Sequence, residues 1–542
     1  MALHQTATSA TTGAAPVAQA HVASRPGDLF IRLIVFCGGV TSVGTEIAAS
    51  RLVAPYFGSS TFIWANLIGL TLTYLSLGYW LGGKVADRYP RAWLLYTLTA
   101  IAAVWAGLIP YLSRPILSAS LRAFDQLAVG AFYGSLVGVL LLFLVPITLL
   151  GFVTPYAIRL RLADVHKAGN VAGNTYALST IGSIVGSFLP VLLLIPWIGT
   201  TRTFLVLALL LLVPSLLGLL QLRAFPQTAL SGGLAVLLVA VTLGVDARAV
   251  RPAERGELVY EVESADNYIQ VLEENGRYLL ALNEGHAIHS IYDPDTLLTG
   301  GPWDYFMVGP LFNRGAGAES VDNALLIGLA GGTVARQLTA AYGPIPIDGV
   351  EIDPEIVRVG REYFAMGEAQ LPNLNAVVAD GRYFLRTTDT TYDLIGVDAY
   401  RQPYIPFQLT TEEFFTEVSD KLTPKGVAVV NAGRTDTDFR LVEALASTMK
   451  AVFPNVYLID VERFDNTIIV GTKTPTDLAT FVASVGGLPP GTVLHEVGIA
   501  SLDSGNVREQ TASDTVFTDD HAPVERVVDQ IILDAARQEI AP

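Results

Sequence analysis

Three carboxylates close short apolar runs in the C-terminal half of the sequence: Glu351 ends IDGVE, Asp380 follows LNAVVA, and Asp398 follows LIGV. Ahead of them runs a glycine-rich turn, Ile327-Gly328-Leu329-Ala330-Gly331-Gly332. Glycines at such a point permit a tight strand-to-helix turn and let backbone approach a ligand closely. An acid about 20 residues beyond the turn is placed to accept both hydroxyls of a ribose, a role open to Glu351 with Ile352 beside it. A phosphate-binding GxGxxG would need glycine at 330, where Ala330 stands. An adenosyl ligand without phosphate therefore suits the loop better than a dinucleotide, which stays open. The plain alternative for Glu351 and for Asp380, followed by Gly381, is a cap on the next helix.

The run ending at Asp398 leads into VDAYRQPYIP, residues 397–406, which sets Asp398 three residues before Arg401 with Tyr400 and Tyr404 close by. A carboxylate favours a neighbouring ammonium, whereas a guanidinium disfavours it and instead grips a carboxylate through two parallel hydrogen bonds. The loop could thus hold either sign of charge. An ion pair between Arg401 and Asp398 on the surface is the plain alternative.

The elements that must position these groups follow from the hydrophobic rhythm. From residue 323 apolar runs alternate with helical patterns: ALLIGLAGG, IDGVEID, LNAVVAD, YDLIGVD and VAVVNAG each precede a helix or loop. Such alternation predicts a parallel, doubly wound sheet whose ligands sit at the carboxyl ends of the strands. Upstream, LVYEVES, YIQVLEE and RYLLALN between residues 257 and 300 alternate in two-residue period around an Asn275-Gly276 turn, which predicts a small antiparallel β unit.

The N-terminal half is of a different kind. Apolar residues make up 51% of the chain and charged ones 15%, and the long apolar runs concentrate in residues 30–247. Seven runs of about 20 residues match the ~30 Å hydrocarbon core of a bilayer, at 30–50, 61–83, 92–112, 128–150, 175–197, 202–222 and 228–246. An eighth crossing could hide in 128–174. Gly182 and Gly186 form a small-xxx-small pattern that lets two helices approach closely. Glu46, five residues before Arg51, suits either an interfacial ion pair or a transport role. The first 28 residues, rich in Ala and Thr, read as a disordered tail without the basic start of a signal peptide.

Basic clusters at Lys84, Arg88, Arg91 and at Arg159, Arg161, Lys167 favour the cytoplasmic side. Arg248, Arg251 and Arg255 follow the last run, which seven spans would put outside, so either the eighth crossing exists or one run does not cross, and the expectation is an integral protein of a bacterial-type inner or plasma membrane whose soluble domain faces the cytoplasm. Cys37 is the single cysteine and the seven histidines lack a metal-ligand spacing, so neither a disulfide nor a metal is implied. The net charge of −16 argues against nucleic acid. A lipid bilayer and a small molecule are the expected partners, and a homo-oligomer stays open.

The series GLAGGTVARQ, DGVEIDPEIVRVGREYF and VVADGRYFLRTTDTTYDLIGVDAYRQPYIPFQLTTEEFF resembles the polyamine aminopropyltransferases, or spermidine synthases. EIAASRLVAPYFG (46–58) and TDDHAPVE (518–525) are similar to that family's membrane-bound branch. The resemblance implies a polytopic α-helical membrane domain plus an α/β Rossmann-like domain of the class I S-adenosylmethionine-binding kind. Its divisions fall at 1–28 (tail), 29–247 (seven to eight helices), 248–312 (β-rich lid) and 313–542 (Rossmann-like domain). It implies that Glu351 binds ribose, that Asp380 and Gly381 meet adenine, and that the Gly328 loop cradles the thioether end of S-adenosylmethionine or its decarboxylated form. Either molecule would be a substrate, with no prosthetic group. His289 falls near a donor-contacting position, and His286, Tyr305 and Tyr400 are further candidates for the reacting end.

Three departures stand out. Soluble members follow the fourth strand with Asp-Ser-Ser-Asp-Pro, so Asp398 matches the first acid and Arg401 replaces the second. Gly331 stands where the family's glycine loop carries an acid, and Tyr305-Phe306-Met307 replaces Tyr-His-Glu in the lid. The expectation drawn from Arg401 is that S-adenosylmethionine itself is bound and its aminocarboxypropyl arm cleaved or transferred, releasing methylthioadenosine. Ordinary aminopropylation of putrescine is the first alternative, with polyamine as partner. A transporter or sensor with an adenosyl-binding domain is the second. Asp519, Asp520 and Glu525 would compensate for the lost acids if the C-terminal segment folds over the site, or else they simply precede and begin a helix.

Overall fold

The computed structural model describes residues 28–57, 61–124, 130–244, 253, 255–264, 266–283, 287–400, 404–461, 463–503, 506–511 and 515–540. Arg401 and His286 lie outside the described residues, as does the N-terminal tail.

The apolar half forms helices α1 (Asp28–Phe57), α2 (Thr61–Arg88), α3 (Ala92–Phe124), α4 (Gly130–Gly151), α5 (Val153–Arg161), α6 (Ala168–Leu189), α7 (Ile195–Gln221) and α8 (Phe225–Gly244). Five stretches, Asp28–Ala54, Ala92–Ser120, Tyr133–Arg161, Val165–Gln221 and Phe225–Thr242, are long and apolar enough to cross a membrane by length and composition. Glycines set how near the helices come. A Cβ on Gly182 or Gly186 would overlap the Phe36 or Val40 carbonyl, so α6 lies directly and in parallel on α1. At Gly199 the backbone leaves the helix (φ 75°, ψ 169°). Gly44 of α1 neighbours both Gly186, before that break, and Leu207, after it, so the chain doubles back there.

The soluble half opens with a four-stranded antiparallel sheet, β1 (Glu257–Glu263), β2 (Tyr268–Glu274), β3 (Arg277–Leu282) and β4 (Ile288–Tyr292), turning at Asn275-Gly276 as the sequence predicts. Then come β5 (Ala324–Ile327), α9 (Thr333–Tyr342), β6 (Ile347–Glu351), α10 (Pro354–Tyr363), β7 (Leu374–Val378), α11 (Gly381–Thr387) and β8 (Tyr392–Val397). The chain continues through α12 (Glu412–Lys421), β9 (Leu422–Gly433), α13 (Arg440–Val452), β10 (Asn455–Val461), β11 (Asn466–Thr472), α14 (Leu478–Gly486), α15 (Val493–Asp503), β12 (Val507–Glu509) and α16 (Val524–Ile540). Strands β5–β12 make one sheet in the order β12-β10-β11-β9-β8-β5-β6-β7. Its β9-β8-β5-β6-β7 part is parallel, where helices separate the strands, and β11, β10 and β12 are added antiparallel. An apolar cluster covers each face.

Two boundaries differ from expectation. Pro302–Phe312 coils into a helical segment of which every residue but Tyr305 is fully buried, so it belongs to the core beneath the main sheet and not to the lid. The soluble half also stands at the other end of the helix bundle from the basic clusters. Asp28 pairs with Arg161, and Asp87 with Arg159, at one end. At the opposite end, Thr200 donates its N–H (3.0 Å) and its hydroxyl (2.6 Å) to the Glu263 carboxylate of β1. The clusters at Lys84–Arg91 and Arg159–Lys167 thus lie at the end of the helix bundle away from the soluble half, whereas Arg255 adjoins that half.

Candidate active site

A cavity of about 360 Å³ opens at the carboxyl ends of β5, β6, β7 and β8, within the range of small-molecule sites. At the end of β5 the chain turns at Gly328, whose φ of 89° favours glycine, and a Cβ there would overlap the Asp398 carbonyl. Gly328 and Ala330 line the cavity. Leu329 is buried in the core, Gly331 donates its N–H to Ser290 Oγ (2.8 Å), and Gly332 starts α9 at φ 79°, so these three hold the turn rather than face a ligand. Gly381 also lines the cavity, and a Cβ there would overlap the Ile327 side chain.

Glu351 ends β6 with 7% of its surface exposed, and its Oε2 accepts the Ala330 N–H (2.9 Å). Burial pushes its carboxyl up to about 7. Beside it Ile352 also lines the cavity. Asp353, fully buried, caps α10 by accepting the Glu355 N–H (2.9 Å) and also accepts from Ser264 Oγ and from Asn267 Nδ2 (2.9 Å). The β1–β2 turn is thereby fastened over the second strand end, and brings Asp266 and Asn267 into the cavity wall. Asp380 lines the cavity while its Oδ1 accepts the Tyr383 N–H (2.9 Å), so it both faces the site and caps α11.

Asp398 forms the cavity floor beyond β8. Its Oδ1 accepts from Asn431 Nδ2 (2.9 Å), and the Trp303 indole also bonds it. Burial outweighs these bonds and pushes its carboxyl up to about 6. Tyr400 lines the wall and donates to the Asn431 carbonyl (3.1 Å). His289 of β4 lines the opposite part, with Nε2 buried and without a hydrogen-bond partner, and burial lowers it to about 4, so it is neutral. Tyr305 does not reach the cavity. It is half-buried against the core, while Trp303, two residues earlier on the same coil, reaches Asp398.

Several contributors were missed in the sequence. Trp303, Asn431, Asp266 and Asn267 carry no local motif. Gln408 lines the cavity, while Thr411 caps α12 by accepting the Phe414 N–H (3.2 Å). Of the C-terminal acids, Asp519 is taken by an ion pair with Arg382 (2.7 Å), whereas Glu525 lines the cavity.

Residues 315–473 match the family model of the spermine/spermidine synthase domain. A probable polyamine aminopropyl transferase of Bifidobacterium longum (strain NCC 2705) is 35% identical over 307 residues, which is 52% of this chain and 65% of that one. The polyamine aminopropyltransferase of Vibrio vulnificus (strain CMCP6) is 31% identical over 154 residues, 28% of this chain and 48% of that one. The chain thus spans less than two thirds of these curated relatives. A probable spermidine synthase from Corynebacterium glutamicum ATCC 13032 of known structure is 20% identical, with a TM-score of 0.37 over 47% of this chain and 91% of that one. Through residues 315–473 of its soluble half, this chain is thus similar to spermidine synthase-like proteins.

Proposed function

We propose that the protein is a membrane-anchored aminopropyltransferase that moves the aminopropyl arm of decarboxylated S-adenosylmethionine to an amine and releases methylthioadenosine. One observation carries this reading. Five carboxylates line the cavity, from Asp266, Glu351, Asp380, Asp398 and Glu525, and no lysine or arginine is among its described lining residues. Such a wall suits cationic substrates, and decarboxylated S-adenosylmethionine carries two positive charges and no carboxylate. The names of the relatives point the same way.

In the proposed step the neutral acceptor amine attacks the carbon next to the sulfonium. The carbon–sulfur bond breaks, its electrons return to sulfur, and methylthioadenosine leaves as a neutral thioether. The new ammonium passes its proton to Asp398, which at about 6 is mostly ionised near neutrality and can still accept a proton. Glu351 and Asp380 hold the adenosyl group, and the Gly328 turn admits the sulfur end.

The purified full-length protein in detergent, given decarboxylated S-adenosylmethionine or S-adenosylmethionine with and without putrescine, tests this by mass spectrometry. Methylthioadenosine and an aminopropylated amine are expected from the decarboxylated donor. Turnover of S-adenosylmethionine alone would overturn it in favour of the aminocarboxypropyl reaction drawn from Arg401, and binding without turnover would favour a sensor. For the anchor, single cysteines at Glu319 and Tyr89 in a Cys37→Ala background should label from opposite faces of the membrane.

A further inference from the structure

Glu46 lies in the helical half, and the reaction proposed above gives it no role. It stands on α1 about 27 Å along the helix from Asp28 and about 16 Å short of Phe57, inside a stretch long and apolar enough to cross a membrane. A half-buried carboxyl at that depth is costly unless it is paired. Among the described residues no hydrogen bond or ion pair holds it. Arg51, five residues on, leaves the helix about 140° away and has its own partner.

The neighbouring helix breaks at the same level. Gly39 presses on α6, where a Cβ would overlap the Ser179 carbonyl and crowd the Ser183 N–H. Two turns further along this parallel pair, Glu46 stands on the same face of α1 and so addresses Gly186 and Pro190. Pro190 has no N–H to give, which leaves the Gly186 carbonyl without the donor that a helix supplies four residues on. That carbonyl faces α1, 3.5 Å from where a Cβ on Gly44 would be. From Pro190 to Leu194 the chain widens into a π-helix, closed by the Ile195 N–H on the Pro190 carbonyl, with α1 still against it. Interrupted membrane helices of this kind free backbone carbonyls for a ligand.

We propose that Glu46 and the Gly186 carbonyl form a binding site for an alkylammonium group inside the helix bundle, separate from the cavity of the soluble half and independent of the transfer reaction. Both groups are acceptors in want of a donor, and together they carry one negative charge. An alkylammonium brings three N–H donors and one positive charge, and its methylenes suit the partly buried Val43, Ile47 and Leu189 alongside. A bare alkali ion needs a fuller shell of oxygens to replace its water.

Dicyclohexylcarbodiimide, which reacts with protonated carboxyls in apolar surroundings, tests this on the full-length protein in lipid nanodiscs. Mass spectrometry of the peptides reads Glu46 apart from the cavity carboxyls. Glu46 should be labelled in the empty protein, and n-butylamine should protect it, because a bound ammonium keeps the carboxylate ionised. Na+ and tetramethylammonium, which has no N–H, should protect at least about 10-fold less well. Pro190→Ala returns the missing N–H, so Glu46 should still be labelled but need roughly 3- to 10-fold more n-butylamine for half-protection. Equal protection by Na+ would overturn the proposal in favour of an alkali ion, and equal protection by tetramethylammonium would show a charge effect without hydrogen bonds. Labelling that n-butylamine leaves unchanged would mean that Glu46 carries only a proton. Absence of labelling in the empty protein would mean that it is already paired, and an unchanged half-point in Pro190→Ala would remove the Gly186 carbonyl; each of these also overturns the site.

Discussion

The two walls of the cavity are built by different means. On one side, Glu351, Asp380 and Asp398 stand at the ends of parallel strands, Glu351 held by the Ala330 N–H, Asp380 by the Tyr383 N–H and Asp398 by the Asn431 and Trp303 side chains. On the other side, the wall joins a loop to a C-terminal helix through the Tyr404–Asp529 hydrogen bond and the packing of α16 on the sheet's helices. The comparison teaches that the strand-end wall is inseparable from the sheet, whereas the other wall is attached from outside it. The first can hardly change without unfolding. The second is free to vary in charge.

The largest expected effect tests whether the floor acts on chemistry rather than on donor binding. Asp398→Asn should lower kcat by about 10²- to 10⁴-fold, the usual share of a positioned acid or base, and leave methylthioadenosine affinity within a few-fold. A comparable loss of affinity would make Asp398 part of the donor wall only. Next, Glu351→Gln replaces a charged acceptor of hydroxyl bonds by a neutral one, and should weaken methylthioadenosine binding roughly 10- to 100-fold by calorimetry. An unaltered affinity would break the assignment of the second strand end to ribose.

The pH dependence sharpens the same point. Burial raises the empty-site Glu351 to about 7, so below that pH the carboxyl is mainly protonated and must lose its proton to accept both ribose hydroxyls. Methylthioadenosine affinity should therefore rise with pH up to about 7 and then level off, and Glu351→Gln should flatten the curve. The sign for stability is opposite. A carboxyl raised in the fold sheds its proton first in the unfolded chain, so its contribution to stability falls as pH rises from 4.5 to about 7.

Gly328→Ala should cost about 1–3 kcal/mol, because it combines a left-handed backbone with an overlap at the Asp398 carbonyl. Thermal unfolding should show the loss, and kcat should fall with it if the Asp398 floor shifts. The smallest effect is expected at the joint between the halves. Thr200→Val removes one of two bonds to Glu263, next to the β1–β2 turn that is fastened to Asp353, and should weaken methylthioadenosine binding by less than about 3-fold. A larger change would show that the helix bundle helps to shape the donor wall.

The strand-end wall was legible in the sequence because strand ends are marked locally: an apolar run, an acid, then a turn or helix start. Gly328, Glu351, Asp380 and Asp398 all followed from that rhythm. Within the same loop, however, spacing could not say which residues face the ligand. Gly328 and Ala330 do, while Leu329, Gly331 and Gly332 turn inward. Tyr305 was misplaced for a similar reason. In a tightly coiled segment residues two apart point in different directions, and it is Trp303 that reaches Asp398.

By itself, the sequence determined the division into an apolar helical half and an α/β half, the close packing at Gly182 and Gly186, and the three strand-end acids. These depend on periodicity and on residues near each other in the chain. Tertiary structure alone decided that Glu525 joins the cavity while Asp519 is held by Arg382, that Asn431 and Trp303 bond Asp398, and that the soluble half docks on the turn at Thr200. Each of these is a contact between distant segments, fixed by how the sheet and the helix bundle pack, and no local pattern encodes it.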